Sequence, residues 1–112
     1  MTTPTAVTGQ PRPRVVLVGP PGAGKSTLGR RLSHALSCEF TDSDHLIEQA
    51  EAKPCGEVFS ELGEQDFRAL EAQHVAAALR TAGVVSLGGG AVLTESTRDL
   101  LERHTVIFLD IS

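Results

Sequence analysis

The stretch VVLVGPPGAGKST, Val15–Thr27, runs four apolar residues into the pattern GxxxxGKS and on into a segment of helical spacing. Val15 to Val18 read as a short buried parallel strand, and Leu28, Leu32, Ala35 and Leu36 recur as one face of a helix. Between them, Gly19, Gly22 and Gly24 let the backbone curl until its N–H groups point inward, where phosphate oxygens are held at the positive end of the helix dipole. Lys25 is then placed to reach β and γ phosphates, and the Ser26 hydroxyl to ligate Mg²⁺. Candidate nucleotide contacts are therefore Gly22, Ala23, Gly24, Lys25, Ser26 and Thr27.

The surroundings of this loop are those of an ordinary small domain. The chain has 112 residues, enough for one core that buries about two-thirds of the unfolded surface. A formal charge of −4 with interspersed signs gives no basic stripe for nucleic acid and no polybasic membrane anchor, so phosphate binding has to be local. No apolar run approaches a membrane span, and MTTPTAVTGQPRPR lacks the apolar centre of a signal peptide. Residues 1–13 read as a disordered polar tail ahead of a domain over residues 14–112. Cys38 and Cys55 have neither CxxC nor metal-ligand spacing and read as reduced thiols of a cytosolic protein.

Downstream, Glu39–Asp42 forms a candidate second strand, and Asp44 followed by Glu48 marks a capped helix start. A short helix bearing Val58, Phe59 and Leu62 is expected to stop at Gly63, and a longer one to run from about Glu64 to Thr81. Val84–Leu87 reads as a third strand leading straight into Gly88, Gly89 and Gly90. Thr94 then opens a helix through about Arg103, and Thr105–Ile111 supplies a fourth strand. Alternating strands and helices imply an α/β fold with a parallel sheet covered on both faces. Ligands of such sheets bind outside the carboxyl ends of the strands, which directs attention to the loop, to Asp42-Ser43-Asp44 and to the glycine triplet.

Phosphoryl transfer requires a bridging cation, a group that positions the acceptor hydroxyl, and positive charge. Asp42 and Asp44 could supply the first two, with the strand expected to end between them and turn into the helix. Otherwise Asp44 merely caps a helix. Arg68 has Glu64 and Glu71 as its i−4 and i+3 neighbours, and a guanidinium so held can offer its fork to a carboxylate. The helical phase turns Glu71 inward with Phe67, where a carboxylate wants a partner and Arg68 is the nearest candidate; otherwise the two form a solvated surface pair. The glycine triplet suggests close backbone approach or a turn that only glycine tolerates.

Taken in order, GPPGAGKST, DSD fifteen residues after Thr27, GEQDFRALE and SLGGGAV closely resemble shikimate kinase, the enzyme that phosphorylates the 3-hydroxyl of shikimate with ATP in aromatic amino acid biosynthesis. The resemblance spans Arg14–Ser112 and implies a P-loop NTPase fold of the nucleoside monophosphate kinase-like kind. It implies ATP and Mg²⁺ as cofactors, with Lys25 and Ser26 on the phosphates and cation and Asp42 in the magnesium shell. It implies that Asp44 binds the shikimate hydroxyls and acts as base, that Arg68 clamps the carboxylate, and that Gly88, Gly89 and Gly90 add backbone contacts. Phe59 and Phe67 resemble the apolar walls of the pocket. A cytoplasmic, monomeric full-length enzyme without nucleic-acid or membrane partners is implied as well. Family members continue with a lid arginine, a second carboxylate-binding arginine, another strand, an adenine-contacting loop and a closing helix. The 112 residues thus resemble an N-terminal portion truncated after the fourth strand, with little activity expected of it alone. Gluconate and nucleoside monophosphate kinases share the loop and sheet without needing Arg68 and the triplet, and a nucleotide-binding module without catalysis is the reading from another class. Val106–Asp110 resembles a strand ending in a magnesium-binding Asp, but the family match favours Asp42 and leaves Asp110 structural.

Overall fold

The computed structural model describes residues 12–20 and 22–110. Strand β1 spans Pro13–Val18 and is followed by helix α1, Lys25–Ala35. Strand β2 is Phe40–Asp42, and helices α2 (Ser43–Glu51), α3 (Cys55–Leu62) and α4 (Glu64–Ala78) lead to β3, Gly83–Ser86. A 3₁₀ turn at Ala91–Leu93, helix α5 (Glu95–Leu101) and β4 (Val106–Phe108) complete the order. The polar tail read over residues 1–13 lies mostly outside the described residues, although Pro13 already belongs to β1. Ile111, read as the end of the fourth strand, is also outside them.

The four strands are all parallel, in the order β2-β3-β1-β4. Alternation along β1 divides its side chains between two cores. Val15 and Leu17 join Val84, Leu28, Leu32 and Phe40 under α1, while Val16 and Val18 join Val85, Leu87, Val75, Ala78 and Leu101 under α4 and α5. Helices therefore cover both faces. A third cluster of Ile47, Val58 and Phe67 ties α2 and α3 to α4.

The face of α1 differs from the sequence reading. Ala35 and Leu36 are exposed, and Gly29 and Ser33 are the buried positions. The cause is Phe40: a Cβ on Gly29 would come within 2.8 Å of three of its ring carbons, so the missing side chain is what lets the helix settle against β2. The helix start after β2 is corrected too. Asp42, extended at φ −117°, is the N-cap, and its Oδ1 accepts from the Asp44 N–H at 2.8 Å. The sequence pattern points to Asp44 as the cap. It lies within the first turn instead, which leaves its carboxylate free.

Candidate active site

The carboxyl ends of β1, β2 and β3 converge on one cleft of about 330 Å³, lined by Gly22, Gly24, Lys25, Ser26, Thr27, Asp42, Asp44, Leu87 and Gly89. Its floor is local backbone. Gly22 and Gly24 have φ of 83° and 90°, left-handed values that cost a side-chain-bearing residue roughly 1–2 kcal/mol. Gly24 is also the N-cap of α1, and no side chain caps that helix. The first N–H groups of α1 thus stay available to an anion at its positive end. Lys25 Nζ donates to the carbonyls of Gly19 (2.6 Å) and Pro20 (3.1 Å), so the ammonium is held against its own loop.

Across the cleft, β2 ends at Asp42 and α2 begins at Ser43, so the strand does end between the two carboxylates and both reach the same space. Ser26 Oγ donates to Asp42 Oδ2 at 3.5 Å. A hydroxyl and a carboxylate at this spacing are hard oxygen donors suited to Mg²⁺, which keeps most of its waters. Asp110 is not among the residues lining this cleft and borders a neighbouring cavity with Gly19 and Pro20.

Asp44 is pushed up to about 6 from the usual 3.8. Burial is the main cause, followed by the charges of Asp42, Glu71 and Glu48, with Lys25 pulling the other way. Beside it, the Cys55 thiol donates to the Asp44 carbonyl at 3.4 Å and is pushed up to about 12, by burial first and then by Asp44. Both cysteines are free, as expected.

Arg68 Nη1 donates to Glu71 Oε1 at 2.8 Å, and Glu71 is 2% exposed. The pair is no solvated surface contact. The guanidinium lies over the rings of Phe59 (5.8 Å) and Phe67 (5.5 Å), which meet edge to face at 5.2 Å. Its buried Nε has no hydrogen-bond partner among the described residues.

The glycine triplet is explained by close approach rather than by special dihedrals. Neither Gly88 nor Gly90 has a positive φ, but a Cβ on Gly88 would meet the Asp44 carboxylate, and one on Gly90 would lie 2.5 Å from Arg68 Nη2. The strip is bare so that an acid and a base can lie against it. Ser43, missed in the sequence, fixes the strip: its buried Oγ accepts the Gly88 N–H at 3.0 Å. The only signal for it was a small polar residue between two aspartates.

A shikimate kinase family model matches residues 21–112. The chain belongs to the shikimate kinase family. A shikimate kinase from Corynebacterium efficiens is 69% identical over 101 residues, a match covering 90% of this chain and 60% of that protein. Among solved structures, a shikimate kinase from Acinetobacter baumannii in complex with shikimate matches with a TM-score of 0.83 at 35% identity, covering 97% of this chain and 62% of that one. A gluconokinase from Sinorhizobium meliloti, at 22% identity and a TM-score of 0.54 over 92% of this chain and 59% of that one, shares the fold alone. The chain spans about 60% of the length of the shikimate kinases it matches. Among its described residues no helix is long and apolar enough to cross a membrane.

Proposed function

We propose that the protein phosphorylates the 3-hydroxyl of shikimate, taking the phosphoryl group from ATP. One juxtaposition supports this above all: the phosphate loop, Asp44 and the Arg68–Glu71 pair all border the bare strip Gly88–Gly90. Gly22 to Thr27 hold the phosphates through backbone N–H groups, and Lys25 turns from its loop carbonyls to the β and γ oxygens. Ser26 and Asp42 would hold Mg²⁺, which would offset phosphate charge when bound. The Arg68 fork, steadied by Glu71, takes the shikimate carboxylate against Phe59 and Phe67, with Gly89 and Gly90 beside it. Asp44 orients the acceptor hydroxyl and accepts its proton as the oxygen attacks the γ phosphorus and ADP leaves. With a pKa of about 6 it is ionised at neutral pH and more basic than a solvated carboxylate. The family setting and the net charge of −4 support a cytoplasmic monomer without nucleic-acid or membrane partners.

The test is ADP release by the whole protein with and without shikimate. Release that depends on shikimate and on Mg²⁺, with gluconate inert, is expected. Turnover indifferent to shikimate would overturn the assignment.

A further inference from the structure

Glu48 is a half-buried acid on α2 that has no part in the steps above. It lies one helical turn after Asp44 and on the same face, yet its carboxylate bonds outside α2: Oε2 accepts the N–H of Cys55, the first residue of α3, at 3.0 Å. That N–H belongs to the opening turn of α3, which has no acceptor within its own helix, and the N-cap, Pro54, makes no side-chain bond to it. The Glu48 carbonyl meanwhile accepts the N–H of Ala52 at 2.9 Å, where the chain leaves α2 in a left-handed turn at φ 59°. One residue thus holds both ends of the link between the helices. Glu48 caps the next helix rather than its own.

The cap matters because α3 has little else to hold it. Of its eight residues only Val58 is buried, against Ile47 and Phe67. Phe59, the residue after it, is 37% exposed, so core packing does not fix its ring. That ring nonetheless lies 5.8 Å from the Arg68 guanidinium carbon and meets Phe67 edge to face. Its place depends on how α3 sits against α2. At the start of α3 two hydrogen bonds set this, the Cys55 N–H on Glu48 and the Cys55 thiol on the Asp44 carbonyl. The first is charge-assisted and the second comes from a weak donor, so the carboxylate carries most of the attachment.

Resting on the kinase reading above, we infer that Glu48 is a positioning residue for the acceptor: by capping α3 from α2 it sets Phe59 over Arg68 and keeps that apolar wall of the shikimate pocket in place. The role requires reach rather than charge. Glutamine keeps the length and an accepting oxygen, whereas aspartate keeps the charge and falls one methylene short. Once the bond is lost, α3 is free to carry Phe59 away from Arg68, and binding of shikimate has to bring it back. The phosphate loop is built between β1 and α1, so nucleotide binding is spared.

The experiment is steady-state ADP release by the whole protein, with shikimate and ATP varied in turn, for the wild type, Glu48→Gln and Glu48→Asp. Glu48→Asp should raise the KM for shikimate about fivefold, the worth of one helix cap, and leave kcat and the KM for ATP unchanged. Glu48→Gln should keep the wild-type KM. In a Phe59→Ala background Glu48→Asp should add no further rise, because the cap acts through that ring. An unchanged shikimate KM in Glu48→Asp overturns the inference, as does a comparable rise in Glu48→Gln, which would mark the charge as the cause. An equal rise for ATP, or a rise that persists undiminished in the Phe59→Ala background, overturns it too. Should Glu48→Asp fold poorly, Glu48→Ala is read in the same way. Wild-type turnover indifferent to shikimate overturns the kinase reading itself and the role of Glu48 with it.

Discussion

At Asp44 the requirements of chemistry and of stability oppose each other. Its folded-state pKa of about 6 lies above the ordinary 3.8, so the folded protein binds this proton more tightly than the unfolded chain does. Stability from this residue is therefore fully present below about pH 4 and is lost as pH rises through about 6. Asp44→Asn should stabilise the protein at pH 7.5 by on the order of 1 kcal/mol, a figure kept well below the full linkage value because the carboxyl is partly solvated. The gain should fade by pH 4. Urea midpoints of both proteins at the two pH values check this, and a shift of equal size at both would remove burial and charge repulsion as its cause. Arg68 makes a different demand. Its fork gives Nη1 to Glu71 and leaves the buried Nε without a partner among the described residues, a geometry that lysine, a point donor, does not reproduce. Arg68→Lys should weaken shikimate binding by roughly tenfold or more, about the worth of a charge-assisted hydrogen bond. ADP affinity should not move, and equal losses for both ligands by calorimetry would count against an acceptor-site role.

Among the elements, α1 shows how far local sequence carries and where it stops. Its start was legible because glycine spacing, lysine and hydroxyl are all local to one turn. Its docking face was not, because Gly29 is buried by Phe40, which lies in another element. The same holds for the start of α2: DSD announces a cap, but which aspartate caps depends on where β2 stops pairing with β3, and that is Asp42. The inward phase of Glu71 was readable from α4 alone, whereas the purpose of the glycine triplet required knowing that α2 and α4 bring Asp44 and Arg68 against it. These contacts make Gly29 a test of competing magnitudes. Alanine is favoured over glycine within a helix by about 1 kcal/mol, but overpacking a filled site costs about 1–3 kcal/mol. Gly29→Ala should therefore destabilise the protein by about 1 kcal/mol. In a Phe40→Leu background the same change should become neutral or stabilising, and a double-mutant cycle without such coupling would show that Phe40 is not the obstacle.

Over the whole molecule, the sheet order places β1 in the interior between β3 and β4, so the phosphate loop rises from a strand paired on both sides. The strands at the two ends of the sheet fare differently. β2 is pinned by the packing of Phe40 under α1, whereas β4 pairs, among the described residues, only with β1 and carries Ile107 and Phe108 at 39% and 73% exposure. Next to it Val92, Leu101, Val106 and Phe108 line a largely apolar groove of about 580 Å³. A one-sided strand with free backbone groups and exposed apolar side chains is a template for pairing with another chain. The 112-residue chain in isolation should accordingly self-associate as its concentration rises, in contrast to the monomer proposed for the whole protein. Phe108→Lys should suppress this association, because an exposed charge at a strand edge repels its own copy. It should change stability by no more than about 0.5 kcal/mol, as is usual for an exposed side chain. Light scattering over a concentration series, with urea midpoints alongside, separates the two effects. A wild-type chain that stays monodisperse and monomeric throughout would show that β4 is protected by its own twist or by its flanking residues. Association that persists unchanged in Phe108→Lys would place the sticky surface elsewhere.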